Sequence, residues 1–213
     1  MIYELRTYTL KPGTLPAYLK LNTEVGRVVR GDNYGTLIGG WTSETGTINQ
    51  YYHLWSYESV SERERLRTAL ANYPDWTPGY TSQIRPFMVS QENTILHVDP
   101  DVGVRPVEGR GHVYELRTYR GHPGQIAAWV RAFKSVLPTR EKYSKPVGLW
   151  LSEVGFLNSA VHLWAYDDLN HRAKVRAAAL ADPVWAEYVA NSAGLLSQQN
   201  SVILNPTPAS PLQ

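Results

Sequence analysis

Two short stretches put the same chemistry-bearing side chains on one face of an extended chain. Residues 49, 51, 53, 55 and 57 are Asn, Tyr, His, Trp and Tyr. Successive side chains of a strand point to opposite faces, so alternate residues share one. The set returns as Asn158, Ala160, His162, Trp164 and Tyr166. A second alternation gives Glu4, Arg6 and Tyr8, and again Glu115, Arg117 and Tyr119. Imidazole titrates near neutrality and suits a general base or proton carrier, which makes His53 and His162 the candidate catalytic residues. Arg6 and Arg117 are suited to an anionic group. Tyr8, Tyr51, Trp55 and Tyr57 in the first set, and Tyr119, Trp164 and Tyr166 in the second, offer rings to a planar ligand. Glu4 and Glu115 complete each candidate pocket. The same residues also allow a structural reading, in which Glu4–Arg6 and Glu115–Arg117 pair internally and the histidines bond to backbone across a seam. Both readings are open at this level.

Other chemistries find little support. The chain has no cysteine, which removes disulfides, thiolate–zinc sites, iron–sulfur clusters and a Cys nucleophile. Besides the matched pair, His97, His112, His122 and His171 fall at linkers or element ends, so no metal and no cofactor is expected. Neither nucleotide-binding glycine motif occurs, nor does a GxSxG elbow. With 21 Lys+Arg against 19 Asp+Glu, the net charge of +2 is too small to hold nucleic acid. No apolar run approaches the ~20 residues of a membrane span, and no basic-then-apolar leader opens the chain, so a soluble cytoplasmic protein is expected. Arg63/Arg67 and Arg172/Arg176 lie one helical turn apart and read as an exposed basic face. Of the aromatic residues 14 are Tyr, 7 Trp and 3 Phe, a composition that favours a semi-polar cavity or an interface over a dry core.

What must position these residues is a duplicated element set. YELRTY at 3–8 recurs at 114–119, and Pro12-Gly13 as Pro123-Gly124, both offset by 111. Gly39-x-Trp41-x-Ser43-Glu44 recurs as Gly148-x-Trp150-x-Ser152-Glu153, and His53-Leu54-Trp55 as His162-Leu163-Trp164, offset by 109. Ser90-Gln91-x-Asn93 recurs as Ser197-Gln198-x-Asn200, offset by 107. Repeats at 1–98 and 112–205 follow, with a Gly/Pro-rich linker at 99–111 and a loose Pro-rich tail at 206–213. Within a repeat, alternation predicts strands at 2–9, 35–42, 48–57 and 87–97. Helical spacing follows Pro-Gly, cleanest at Ile126, Trp129, Val130, Phe133 and Leu137. A second helix is expected near 59–72 and 168–181, and a short one at each Pro-x-Trp, with Asp182 as a cap.

The order β-α-β-β-α-(α)-β is the split βαβ arrangement, an antiparallel sheet with helices on one face. The fold class is therefore α+β: two tandem ferredoxin-like repeats forming an intramolecular dimeric α/β barrel, a fused pseudo-dimer. Further pairing into a homodimer of such chains is allowed by their sheet edges.

The YELRTY opening with Pro-Gly after it, the Gly-x-Trp hairpin and the HLW-x-Y strand resemble the NIPSNAP family. The resemblance covers both repeats. It implies the dimeric α/β barrel superfamily, whose members include cofactor-free monooxygenases, EthD-like proteins and haem-binding chlorite dismutases. It implies no substrate, because NIPSNAP proteins mostly lack an assigned reaction. Three functions remain: a protein that binds or transforms a small planar organic ligand, a non-catalytic binding or scaffold protein, and a haem protein. The copies differ where Tyr51 becomes Ala160, which is expected to open space beside His162 and to make the second copy the working site.

Overall fold

A computed structural model describes residues 1–109 and 111–213. Residue 110, inside the expected linker, lies outside the described residues. The chain divides into two compact units, residues 1–96 with 205–213 and residues 97–204.

In the first unit β1 (Ile2–Leu10), β2 (Thr36–Ser43), β3 (Gln50–Tyr57) and β4 (Met88–Val98) form an antiparallel sheet ordered β4-β1-β3-β2. The register sets Glu4 opposite Trp55, Arg6 opposite His53 and Tyr8 opposite Tyr51. Because opposed residues of an antiparallel pair point to the same side, the two polar faces coincide. Asn49, at φ 59°, closes the β2–β3 hairpin in the left-handed region that asparagine tolerates. The second unit repeats this with β5 (Val113–Gly121), β6 (Pro146–Val154), β7 (Ser159–Tyr166) and β8 (Leu196–Pro206), ordered β8-β5-β7-β6. Its Asn158 has φ 53°, and Arg117 lies opposite His162.

The helices differ more than the sheets. After β5 a single helix α5 runs Ile126–Glu141, burying Trp129, Val130, Phe133 and Leu137. Its counterpart is broken into α1 (Leu15–Leu21), a π-helical stretch Asn22–Gly26 and α2 (Arg27–Arg30). The helix after β3, α3 (Val60–Ala71), starts where the Ser59 hydroxyl accepts from the Glu62 N–H. The first unit then has a π-helical stretch Asp75–Thr81 and α4 (Ser82–Ile84). The second unit has α6 (Leu169–Ala181) and α7 (Pro183–Ser192), with Asp182 capping the Val184 N–H at 3.0 Å as expected.

The π-helical stretches account for part of the offset between the copies. Such a turn holds one more residue than an α-helical turn. Arg30 and Arg140 make equivalent contacts at an offset of 140 − 30 = 110, one less than at Pro-Gly. Trp76 meets Tyr80 at 4.9 Å and 42°, and Trp185 meets Tyr188 at 4.9 Å and 43°. There the offset has passed from 185 − 76 = 109 to 188 − 80 = 108.

Two expectations about the connections are corrected. The tail is not loose: the Thr207 N–H donates to the Gly40 carbonyl at 2.9 Å, and the Gly40 N–H donates to the Ser210 hydroxyl at 3.0 Å. Thr207 and Ser210 are buried. The segment makes a turn, in which the Ser210 N–H donates to the Thr207 carbonyl at 2.9 Å, and the turn clasps both backbone groups of Gly40 on β2. The expected linker is equally engaged. The Asp99 and Arg105 N–H groups donate to the carbonyls of Leu149 and Val147 on β6, at 2.8 and 2.7 Å. Asp99 and Val102 are buried.

Candidate functional site

The histidine-bearing face of each sheet is covered by the helices of its own unit. On that face Glu4 is fully buried and receives Arg6 Nη1 at 2.8 Å, Asn93 Nδ2 at 2.9 Å and a close contact from Arg63 Nη2. Arg6 Nε donates to the Tyr8 hydroxyl at 3.0 Å. In the second unit Glu115 is likewise buried and accepts from Arg117 at 2.8 Å, from both Nε and Nη2 of Arg172 at 3.1 and 2.7 Å, and from Ser201 at 2.6 Å. Arg117 Nε donates to Tyr119 at 2.7 Å. Tyr57 and Tyr166 reach the same carboxylates at 3.4 and 3.3 Å. Burial opposes ionisation of Glu115, but the hydrogen bond from Arg172 and the charge of Arg117 outweigh it and hold the carboxyl at about 2. Glu4 is held low against burial in the same way, by Arg63 and Arg6. The internal pairing read from sequence is therefore present. The expected exposed basic face is not: Arg63 and Arg172 turn inward onto these carboxylates, and Arg67 and Arg176 line the cavities.

The histidines are wired differently from either expectation. Trp55 Nε1 donates to His53 Nδ1 at 2.7 Å, and Trp164 Nε1 donates to His162 Nδ1 at 2.7 Å. An indole N–H can only donate, so each Nδ1 must carry its lone pair and each neutral ring must hold its proton on Nε2. Burial, with Arg6 and Arg30 near His53 and Arg117 near His162, drives both imidazoles well below their ordinary value. Each therefore presents a neutral Nε2–H donor, and both Nε2 atoms are buried without a protein partner. The general-base role expected for His53 and His162 does not fit: one nitrogen is already protonated and the other is occupied by tryptophan. The partner is also a side chain, not backbone. A haem axial ligand does not fit for the same reason. Nε2 ligation needs Nδ1 to carry the proton, which would set it against the indole N–H.

One further arginine, which no sequence motif marks, completes each face. Arg30 at the end of α2 lies 3.2 Å over the Trp55 ring and donates to the Tyr57 hydroxyl at 2.8 Å. Arg140 in the last turn of α5 lies 4.4 Å over Trp164. Both are buried, at 4% and 3% exposure, and neither has a carboxylate within 4.0 Å among the described residues. Desolvation lowers the Arg30 guanidinium to about 10 and pulls Arg140 down as well. The signal was hidden because the pair aligns only at offset 110, between the two offsets at which motifs match.

Each unit holds a cavity above this face. The second unit's, of about 290 Å³, is lined by Trp129, Phe133, Trp164, Trp185 and Tyr188, with Arg117, Arg140 and His162 at its polar end. Exposed Leu180 and Val189 form part of its lining, so it opens to the surface. The first unit's, of about 350 Å³, keeps Tyr8, Arg30, Arg67, His53, Trp55 and Trp76 as counterparts but has Tyr18 where the second has Trp129. Ala160 does not open the second site beyond the first. Trp129 and Phe133 tilt onto His162 at 5.8 and 5.9 Å, filling the side where Tyr51 stacks on His53 at 4.8 Å in the first unit. Among the described residues no group of three or more His, Asp or Glu side chains is placed to hold a metal ion, and no helix is long and apolar enough to cross a membrane.

Similar proteins are found along the whole chain. A NipSnap homolog of Dictyostelium discoideum is 31% identical over 210 residues, covering 96% of this chain and 87% of that one. Human NipSnap homolog 3A is 32% identical over 218 residues, covering 100% and 86%. Among solved structures, a putative monooxygenase from Fusobacterium nucleatum aligns with a TM-score of 0.72 at 11% identity, over 97% of this chain and 92% of its own. One from Lactobacillus acidophilus aligns with a TM-score of 0.66 at 12% identity, over 100% and 98%. At such identities these two show the fold alone, and the expected fold class stands on them. The NIPSNAP family model matches residues 3–100 and again 114–211, and the chain belongs to the NIPSNAP family, as two tandem copies of its domain.

Proposed function

We propose that the second unit's cavity binds a small planar organic anion. The observation that carries this reading is Arg140: a buried guanidinium with no carboxylate partner, held on the face of Trp164 in an aromatic cavity. A buried charge is costly unless paired, and a cation–π contact offsets only about 2 kcal/mol. An anion beside Arg140 supplies the missing charge. The Nε2–H of His162 supplies a neutral donor at the same polar end. Trp129, Phe133 and Trp185 bury the flat body of the ligand. In a reaction, such a donor and cation would favour negative charge developing on a ligand oxygen, with no base supplied by His162.

A thermal-shift comparison of 2-naphthoate with 2-naphthamide tests this. The two differ in charge while keeping the ring system. The expected result is a saturable rise in melting temperature with the carboxylate and a much smaller one with the amide. Equal shifts, or none with either, would count against an anionic site.

A further inference from the structure

The two cavities have the same floor and different walls. In the first unit Tyr8, Tyr18, Asn22 and Tyr80 line the cavity, with Asn22 Nδ2 donating to the Tyr80 hydroxyl at 3.0 Å and Tyr51, behind them, donating to Asn22 Oδ1 at 3.5 Å. The π-helical stretch presents Asn22 where α5 presents Phe133, at an offset of 133 − 22 = 111. Gly26 in the same stretch leaves room for the Tyr80 ring, since a Cβ there would stand 2.6 Å from it. The charge differs too. Buried Arg30 and half-buried Arg67 line this cavity with no carboxylate within 4.0 Å among the described residues, and Arg85, also without one, adds an exposed guanidinium to the lining. In the second unit only Arg140 stands so, because Arg117 and Arg176 lie 2.8 and 3.7 Å from Glu115. Two N–H donors are buried without a protein partner on residues of the first cavity, Arg30 Nε and His53 Nε2.

We infer that the first unit's cavity is a separate site for a phosphorylated small molecule, distinct in ligand class from the aromatic site of the second unit. Buried Arg30, half-buried Arg67 and exposed Arg85 together match a dianionic group better than a single carboxylate, because arginine forks bond phosphate oxygens in parallel pairs. Both cavities keep two indoles, Trp55 and Trp76 or Trp164 and Trp185, but Tyr18 and Asn22 stand where the second unit has Trp129 and Phe133, and they match a more polar body. The inference does not rest on the aromatic reading, since each site has its own residues.

The test is a calorimetric titration of the full chain with inorganic phosphate and with glycerol phosphate, against sodium chloride at matched ionic strength. Arg67→Gln is the main variant: Arg67 is only half-buried, so its loss should leave the fold intact. It should weaken phosphate binding about tenfold or more. Arg140→Gln, in the other unit, should leave phosphate binding unchanged. His53→Ala gives a second reading at the first site and should also weaken it. No binding above the chloride control overturns the inference, as does equal weakening by Arg140→Gln. A chain that binds 2-naphthoate but not phosphate would overturn this inference alone, and the converse would overturn the aromatic reading alone.

Discussion

Replacing Glu115 by glutamine removes one charge from the centre of the second unit while keeping the side chain's size. The carboxylate is fully buried and faces Arg117, Arg172 and Arg176. Its carboxyl is held at about 2 against an ordinary 4.5. A depression of that size corresponds to about 3 kcal/mol of stability at neutral pH. Since the folded-state value is the lower one, that stability is present above about pH 5 and is lost as pH falls through the folded value near 2. Glutamine would keep one acceptor oxygen, set an NH2 donor against the guanidiniums at the other, and leave them without their counter-charge. Loss of one partner of a buried pair typically costs about 3–5 kcal/mol. The expected result at pH 7 is therefore a loss of about 3 kcal/mol, or a melting temperature lower by about 6–12 °C for a chain of this size. Urea unfolding followed by tryptophan fluorescence at pH 7, 5 and 3 measures it. The gap between wild type and Glu115→Gln should narrow at the lowest pH. A variant as stable as wild type at pH 7, or a gap that is constant across the series, would refute the reasoning.

Three further outcomes follow from particular contacts. Neither His53 nor His162 should titrate between pH 8 and 5, and ¹⁵N spectra should show the Nε2–H tautomer of both. A charge change in that window at either ring would remove the donor assignment. Gly26→Ala should destabilise the first unit by about 1–3 kcal/mol, because its Cβ would stand 2.6 Å from the Tyr80 ring; a neutral result in denaturant melts would mean the ring moves freely. Truncation before Thr207 should cost about 2 kcal/mol or more, because it strips partners from both the N–H and the carbonyl of Gly40; an unchanged melting temperature would show the tail to be dispensable.

The sheets were legible in the sequence because strand alternation and duplication reinforce each other. Matched His53/His162 and Arg6/Arg117 fix the same register in both copies, and the structure brings Glu4, Arg6, Tyr8, Tyr51, His53, Trp55 and Tyr57 onto one face, as it does their counterparts. The helical half of the site was not legible. Arg30 and Arg140 fall between matched motifs, displaced by a π-helical residue that leaves no signal in composition. The direction of Arg63 and Arg172 depends on a buried carboxylate on the first strand of the repeat, which helical spacing alone does not reveal. The role of the histidines turned on which ring nitrogen the i+2 tryptophan occupies. Alternation places Trp55 on the same face as His53 but says nothing of that hydrogen bond. Proline and glycine content in the tail and the linker marks only the absence of helix, and turns held by single backbone bonds to a neighbouring strand are equally compatible with it.

The proposed site depends above all on His162 offering its buried Nε2–H to an anion in the second unit's cavity. The most direct test is to record the ¹H–¹⁵N signals of the ring nitrogens in the full chain during titration with 2-naphthoate. The His162 Nε2–H signal should move downfield and saturate with the ligand, while the Trp164 indole signal shows that its bond to Nδ1 is kept. Binding that leaves the His162 signal unmoved, or a His162 ring found with its proton on Nδ1, would contradict it.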